Sequence, residues 1–291
     1  MERFKNHDQM KAFMKKEADR LDLKLHNVYV TFIARSFLEK LARHDSDGIV
    51  LVKGSSAETA YLGKLVRAIT DVDIASTHGI EDACGIFSDV LHDDRDINFE
   101  FNKKPKITPT GIYKLSFDAR YDKLRQPLGV DFQENYNRLI ERQTRVMPKI
   151  FEGDEEFEIA VPSFEEYLAE KLCIILESNK PDVLNTRVKD FYDIYQLHGG
   201  QYDSEKLTKY FKRMLELRGK IAFADTTTRY LNRDFIMNHE GIWKSTKEKY
   251  DFIDQEIDLY GAVYYTRAVL REEMQKNGAI ATNPMLSKKR K

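Results

Sequence analysis

Asp71 and Asp73 stand two residues apart in the run Arg67-Ala68-Ile69-Thr70-Asp71-Val72-Asp73-Ile74. Val72 and Ile74 mark the run as a strand. Successive strand side chains point to opposite faces, so both carboxylates belong to one face and Val72 and Ile74 to the other. Two like charges side by side repel unless a cation sits between them. Upstream, Lys53-Gly54-Ser55-Ser56 follows the apolar run Ile49-Val50-Leu51-Val52. A strand that ends in Gly-Ser and leads into a helix exposes backbone N–H groups that can hold phosphate oxygens. A third acid, Asp131, lies between Val130 and Phe132 in an otherwise core-forming strand. Three carboxylates on adjacent strands would bind two Mg²⁺ ions about 3.5–4 Å apart, because Mg²⁺ prefers hard oxygen ligands shared with substrate phosphates. A lone D-x-D or Gly-Ser is most often a solvated strand end or turn. The order and spacing of all three features point to phosphate chemistry.

Further along, Ser163-Phe164-Glu165-Glu166 has the pattern of a helix capping box. In the helix that follows, Lys171 shares an apolar stripe with Phe164, Leu168 and Ile175. A lysine there either snorkels to water or meets a buried anion, and periodicity does not choose between them. The next helix opens with Arg187-Val188-Lys189-Asp190-Phe191-Tyr192-Asp193, which puts Asp190 and Asp193 on one face. Read alone, that face is a polar helix start with ordinary charge pairs.

The elements that must position these residues follow from the hydrophobic periods. Met10, Phe13, Met14, Ala18 and Leu21 predict an amphipathic helix, and Phe32 to Leu41 a second. Ile49–Val52 and Val72/Ile74 predict strands, and Ile80–Leu91 a helix. Alternation then predicts strands at Phe99/Phe101, Tyr113/Leu115/Phe117, Leu128/Val130/Phe132 and Phe157/Ile159/Val161. The intervening turns are expected at Pro105, Pro109-Thr110-Gly111 and Pro127. After Pro162 the pattern is helical: to about Glu177, from Thr186 to His198 with a stop at Gly199-Gly200, and then at Leu207–Leu217, Trp243–Leu259 and Ala262–Met274. The fold class is therefore α+β, with a mixed-sheet module at 1–161 and a helical module at 162–291.

Composition bounds the function. Of the 291 residues, 42% are hydrophobic and 33% charged, which suits a globular protein. No apolar run is long enough to span a bilayer, and the polar start Met1–Asp8 lacks a signal core, so the expected location is cytoplasmic. Cys84 and Cys173 form no C-x-x-C pair and are read as buried thiols in helices. With a net charge of -1, any attraction to nucleic acid must be local. Lys206, Lys209, Lys212, Arg213, Arg218 and Lys220 could supply it, although such a run is more often a solvated helix surface. The tail Lys288-Lys289-Arg290-Lys291 reads as a solvated end.

Taken together, Lys53-Gly54-Ser55 with Arg67 and Asp71-Val72-Asp73, then Asp131, then Ala169-Glu170-Lys171, then Arg187-x-Lys189-Asp190-x-x-Asp193 resemble the AbiEii-type nucleotidyltransferase toxins of abortive-infection toxin–antitoxin systems. These belong to the DNA polymerase β-like nucleotidyltransferase superfamily. Many relatives carry a second glycine where this chain has Ser55, and Ser or Thr where it has Ile69. The resemblance implies that Asp71, Asp73 and Asp131 hold two Mg²⁺ ions, Asp131 alternatively activating the acceptor hydroxyl. It implies that Gly54 and Ser55 hold the triphosphate of a nucleoside triphosphate. Lys171 would neutralise that triphosphate with help from Lys189, and Asp190 would orient Lys171 or the nucleotide. It further implies an RNA acceptor, the 3′ end of tRNA, growth arrest during phage infection, and a co-encoded antitoxin that need not touch the toxin. A small-molecule acceptor of the antibiotic-modifying kind, or a catalytically silent nucleotide-binding regulator, stays open on the residues alone.

Overall fold

A computed structural model describes residues 3–45, 47–76, 78–109, 111–134, 141–178, 187–197, 200–217, 231–250 and 253–276. The expected positions Thr110, Thr186, His198, Gly199, Arg218, Lys220 and Lys288–Lys291 lie outside them. The chain divides into two compact units, Met1–Ser163 and Phe164–Lys291.

The first unit opens with helices α1 (His7–Leu21) and α2 (Leu25–His44). The Asn6 side chain caps α1 by accepting from the Gln9 amide, satisfying one of the helix's orphan donors. Then come β1 (Val50–Val52), α3 (Gly54–Leu62), β2 (Val72–Ser76), α4 (Ile80–His92), β3 (Asn98–Phe101), β4 (Lys106–Ile107), β5 (Ile112–Tyr121) and β6 (Leu124–Gln133). The unit ends with β7 (Arg142–Met147) and β8 (Phe157–Pro162), which form a two-stranded sheet of their own. The main sheet runs β1-β2-β6-β5-β3, with β4 also on β5. It is mixed: β2 and β6 are parallel and the other pairs antiparallel.

One face of this sheet is core. Val72, Ile74, Leu115, Phe117, Leu128, Val130 and Phe132 are buried, as are Phe32, Ile33, Phe37, Leu38 and Leu41 of α2. Phe37 meets Phe99 edge-on at 5.3 Å and Phe117 at the same separation. The strands alternate, so the intervening residues face away from this core: Asp73 and Asp131 are partly exposed and Lys114 is exposed.

The structure departs from the expected turns at Pro127, which lies inside β6 opposite Asp118. Proline has no N–H for a ladder, but β2 joins β6 only from Val130 onward, so at Pro127 the strand is an edge and the missing donor costs nothing. The turn falls instead at Asp122, which takes a left-handed conformation (φ 49°). Cys84 is also corrected. It is exposed on α4, whereas Cys173 is buried as expected.

The second unit contains α5 (Phe164–Ser178), α6 (Val188–Gln196), α7 (Ser204–Leu217), α8 (Arg233–Lys249) and α9 (Leu259–Lys276). Helix α8 begins ten residues before the expected Trp243 and ends ten before Leu259. The side chain of Asn232 accepts from the Phe235 amide and starts the helix, and Tyr250 is extended and stops it. The expected boundary failed because Asn238, His239 and Gly241 interrupt the apolar period. His239 is nevertheless buried, its Nδ1 2.7 Å from the Phe235 carbonyl oxygen. No helix among the described residues is long and apolar enough to cross a membrane.

Candidate active site

The site in the first unit begins where β1 ends. The Lys53 amide donates to the Asp73 carbonyl oxygen at 2.8 Å, which fixes the turn against β2. Gly54 then takes φ +57° and opens α3. A Cβ at this position would lie 2.0 Å from the Asp73 carboxylate oxygen Oδ2. Glycine is therefore required twice, by the left-handed backbone and by the close approach of the acid. The sequence placed Gly54 and Asp73 in one motif, and the structure brings them into contact.

Helix α3 presents its first-turn amides at this point, and such groups carry partial positive charge with no partner inside the helix. Ser55 and Ser56 are buried, and neither hydroxyl oxygen has a hydrogen-bond partner among the described residues. A buried hydroxyl left unpaired costs about 1–3 kcal/mol, a cost that a bound phosphate oxygen would remove for Ser55. Two further contacts brace the turn. Buried Arg67 approaches Glu58 of α3 at 3.7 Å, and the Ile69 amide donates to the Thr31 hydroxyl of α2 at 3.1 Å. The loop that delivers Asp71 is thus tied to both helices.

Asp71 falls just before β2 and is exposed, with the Thr70 hydroxyl 3.3 Å from its Oδ1. Asp73 lies inside the strand, and its register partner on parallel β6 is Asp131. Parallel neighbours lie about 4.8 Å apart, so the two carboxylates share a face and a row. Asp131 has a second neighbour that sequence reasoning missed: Lys114, its partner on β5, whose ammonium donates to Asp131 Oδ2 at 2.7 Å. Alternation along Tyr113, Leu115 and Phe117 placed Lys114 off the core, but only the strand register reveals what it faces. Among the described residues no three His, Cys, Asp or Glu side chains form a ready-made metal cluster. The adjoining carboxylates do supply the hard oxygen donors that a divalent ion such as Mg²⁺ takes.

The second unit holds the other expected residues. Lys171 of α5 is buried, and it does not snorkel. Its ammonium donates to Asp190 at 2.9 Å and to Asp193 at 2.5 Å, both on α6. Asp190 and Asp193 are themselves buried, so the i, i+3 face is an ion-pair face turned into the core of its unit. Arg187 reaches Asp190 at 3.7 Å from the exposed side. Lys189 points elsewhere, over the Tyr250 ring at 5.5 Å. Helical spacing puts Asp193 on one face with Asp190, and it makes the shorter of the two contacts to Lys171.

Comparison with solved structures agrees with this architecture. MenT4, the nucleotidyltransferase toxin Rv2826c of Mycobacterium tuberculosis, superposes with a TM-score of 0.58 over 95% of this chain and 96% of its own, at 15% identity. That likeness shows the shared fold. JHP933 from Helicobacter pylori matches over 87% of this chain and 94% of its own at 16% identity, with a TM-score of 0.48, too loose to support an argument. No curated protein matches the sequence significantly. The family model described as "Nucleotidyl transferase AbiEii toxin, Type IV TA system" matches residues 37–263, a span that includes the Gly54 turn, the carboxylate row and the Lys171 cluster. The chain therefore belongs to the AbiEii family of nucleotidyltransferase toxins, whose activity implies a nucleotide substrate and whose toxin–antitoxin setting implies an antitoxin partner.

Proposed function

We propose that this enzyme transfers a nucleoside monophosphate from a nucleoside triphosphate to the terminal hydroxyl of an RNA, the 3′ end of tRNA, and so arrests growth during phage infection. The observation that carries this reading is the row Asp73–Asp131 in register on β2 and β6, packed against the Gly54 turn. An intact acid row beside a phosphate-binding turn argues for transfer over a silent regulatory role.

Asp71, Asp73 and Asp131 would hold the divalent ions, two Mg²⁺ in this reading. When bound, these neutralise the triphosphate and the charge that develops during transfer. The first-turn amides of α3 and the Ser55 hydroxyl bind phosphate oxygens. In the alternative role, Asp131 accepts the proton of the acceptor hydroxyl. The hydroxyl oxygen then forms a bond to the α-phosphorus, the bond from that phosphorus to the bridging oxygen of the β-phosphate breaks, and pyrophosphate leaves. Positioning and charge neutralisation suffice for this class of reaction. The co-encoded antitoxin need not touch the enzyme.

Incubating the protein with each labelled nucleoside triphosphate in turn, Mg²⁺ and total RNA tests the proposal. Label should enter tRNA with one nucleotide preferred, and Asp73→Ala should abolish it. Label that entered only a small hydroxylated compound would replace RNA as the acceptor. Undiminished labelling by the Asp73→Ala protein would overturn the site.

A further inference from the structure

The row of register partners that contains the acids does not stop at Lys114. Lys106 on β4 pairs with Lys114 on β5, so the order across four strands is Asp73, Asp131, Lys114, Lys106. Register partners share a face, so two acids and two lysines stand side by side on the face opposite the α2 core. The Gly54 turn lies at the β1–β2 end of this row, and the lysines lie at the other end.

The basic end is larger than the row. Lys103, Lys104 and Lys106 are all exposed around Pro105, and none forms an ion pair among the described residues. Lys114 is half exposed. Lys106 and Lys114 form a cross-strand pair of like charges, which is unfavourable by itself and relieved by an anion lying across both. Elsewhere the same sheet face is balanced: Asp118 accepts from Arg125 and from Asn102, each at 2.7 Å, and Glu100 pairs with Arg120 at 2.8 Å. The uncompensated positive charge lies at the β4 edge, on Lys103, Lys104 and Lys106, while Lys114 beside them already donates to Asp131. The molecule as a whole has a net charge of -1, so this is a local attraction of the kind a polyanion requires.

We propose that the β4–β5 edge, Lys103, Lys104, Lys106 and Lys114, is the track for the acceptor nucleic acid: successive phosphates of an RNA strand lie along the lysines and bring its terminal hydroxyl to Asp131 from the side opposite the triphosphate. This rests on the transfer reading above for the role of Asp131. The binding surface itself rests only on charge and register. It differs from the surface that the sequence suggested, the basic face of α7, where Lys209, Lys212 and Arg213 are also exposed.

The test compares two triple variants of the full chain, Lys103→Gln/Lys104→Gln/Lys106→Gln and Lys209→Gln/Lys212→Gln/Arg213→Gln. The binding of fluorophore-labelled unfractionated tRNA is followed by anisotropy across a salt series, without nucleotide. Each lost phosphate contact should flatten the slope of log affinity against log salt by about 0.7, so the first triple should flatten it by about 2 and weaken binding at low salt. Calorimetric titration with nucleoside triphosphate should give the wild-type affinity in that variant, and its thermal unfolding should be unchanged because the lysines are exposed. Lys106→Gln alone should raise KM for tRNA and leave KM for the nucleotide unchanged. An unchanged slope in the β4-edge triple, or tRNA binding lost only in the α7 triple, would overturn the proposal. So would a wild-type protein that fails to bind tRNA at low salt. A wild-type protein that binds tRNA through these lysines but labels none would instead remove the transfer reading and leave the binding surface standing.

Discussion

The two units use the same residue types to opposite ends. In the sheet unit, Asp73 and Asp131 sit on a solvent-reachable face, and Asp131 shares its charge with a half-exposed lysine. In the helical unit, Lys171, Asp190 and Asp193 are buried and bonded to one another. An exposed ion pair contributes about 0–1 kcal/mol, because water competes for both partners. A buried cluster behaves differently: its members have lost hydration, and removing one leaves an uncompensated charge that costs about 3–5 kcal/mol. Charges meant for a ligand must be cheap to uncover. Charges meant to lock two helices together need not be.

The most damaging way to break this comparison is in the helical unit. Lys171→Met should destabilise the protein by about 3–5 kcal/mol, read as a lowered midpoint in urea. Two buried carboxylates would then face each other, with Arg187 reaching Asp190 at 3.7 Å from the exposed side. From periodicity alone a methionine on that apolar stripe would be harmless or stabilising, and the paired aspartates reverse the sign. Adding Asp193→Leu and Asp190→Asn to Lys171→Met should recover much of the loss, and no recovery would count against the buried cluster as its source.

Asp73→Ala should do the reverse. Its transfer rate should fall at least about a hundred-fold, since metal-held charge stabilisation is worth several kcal/mol. Its unfolding midpoint should stay near wild type. A large loss of stability here would mean that the carboxylate holds the Gly54 turn together as well as serving chemistry.

Gly54→Ala is intermediate and sharpens that point. A left-handed conformation costs a residue with a Cβ about 1–2 kcal/mol, and the added methyl must displace the Asp73 carboxylate. Both stability and Mn²⁺ affinity, measured by electron paramagnetic resonance, should drop. A loss of stability with unchanged Mn²⁺ binding would separate the turn from the metal site.

The smallest effect is expected at Lys114. Lys114→Gln should change stability by no more than about 1 kcal/mol, and thermal unfolding checks this. A larger change would move Lys114–Asp131 into the class of the buried cluster.

Much of the site was legible in the sequence because its signals are local. The alternation around Val72 and Ile74 put Asp73 on the open face, and Gly54-Ser55 after an apolar strand announced a turn into a helix. The stripe position of Lys171 posed the right question without answering it, since periodicity cannot see a partner nineteen residues away. Boundaries failed where tertiary burial overrode a polar stretch, as at His239 in α8, or where an edge tolerated a proline, as at Pro127 in β6.

The sequence by itself determined which residues could do chemistry and the period of the element that carries each. Side-chain alternation and helical spacing are properties of neighbouring residues, and they need no fold to be read. Only the tertiary structure decided who faces whom: Asp73 beside Asp131, Asp131 beside Lys114, Lys114 beside Lys106, and Lys171 between two aspartates. Strand register and helix packing are set by the burial of many side chains at once, and a slip of one residue would have turned each of these strand-borne charges to the other face of the sheet.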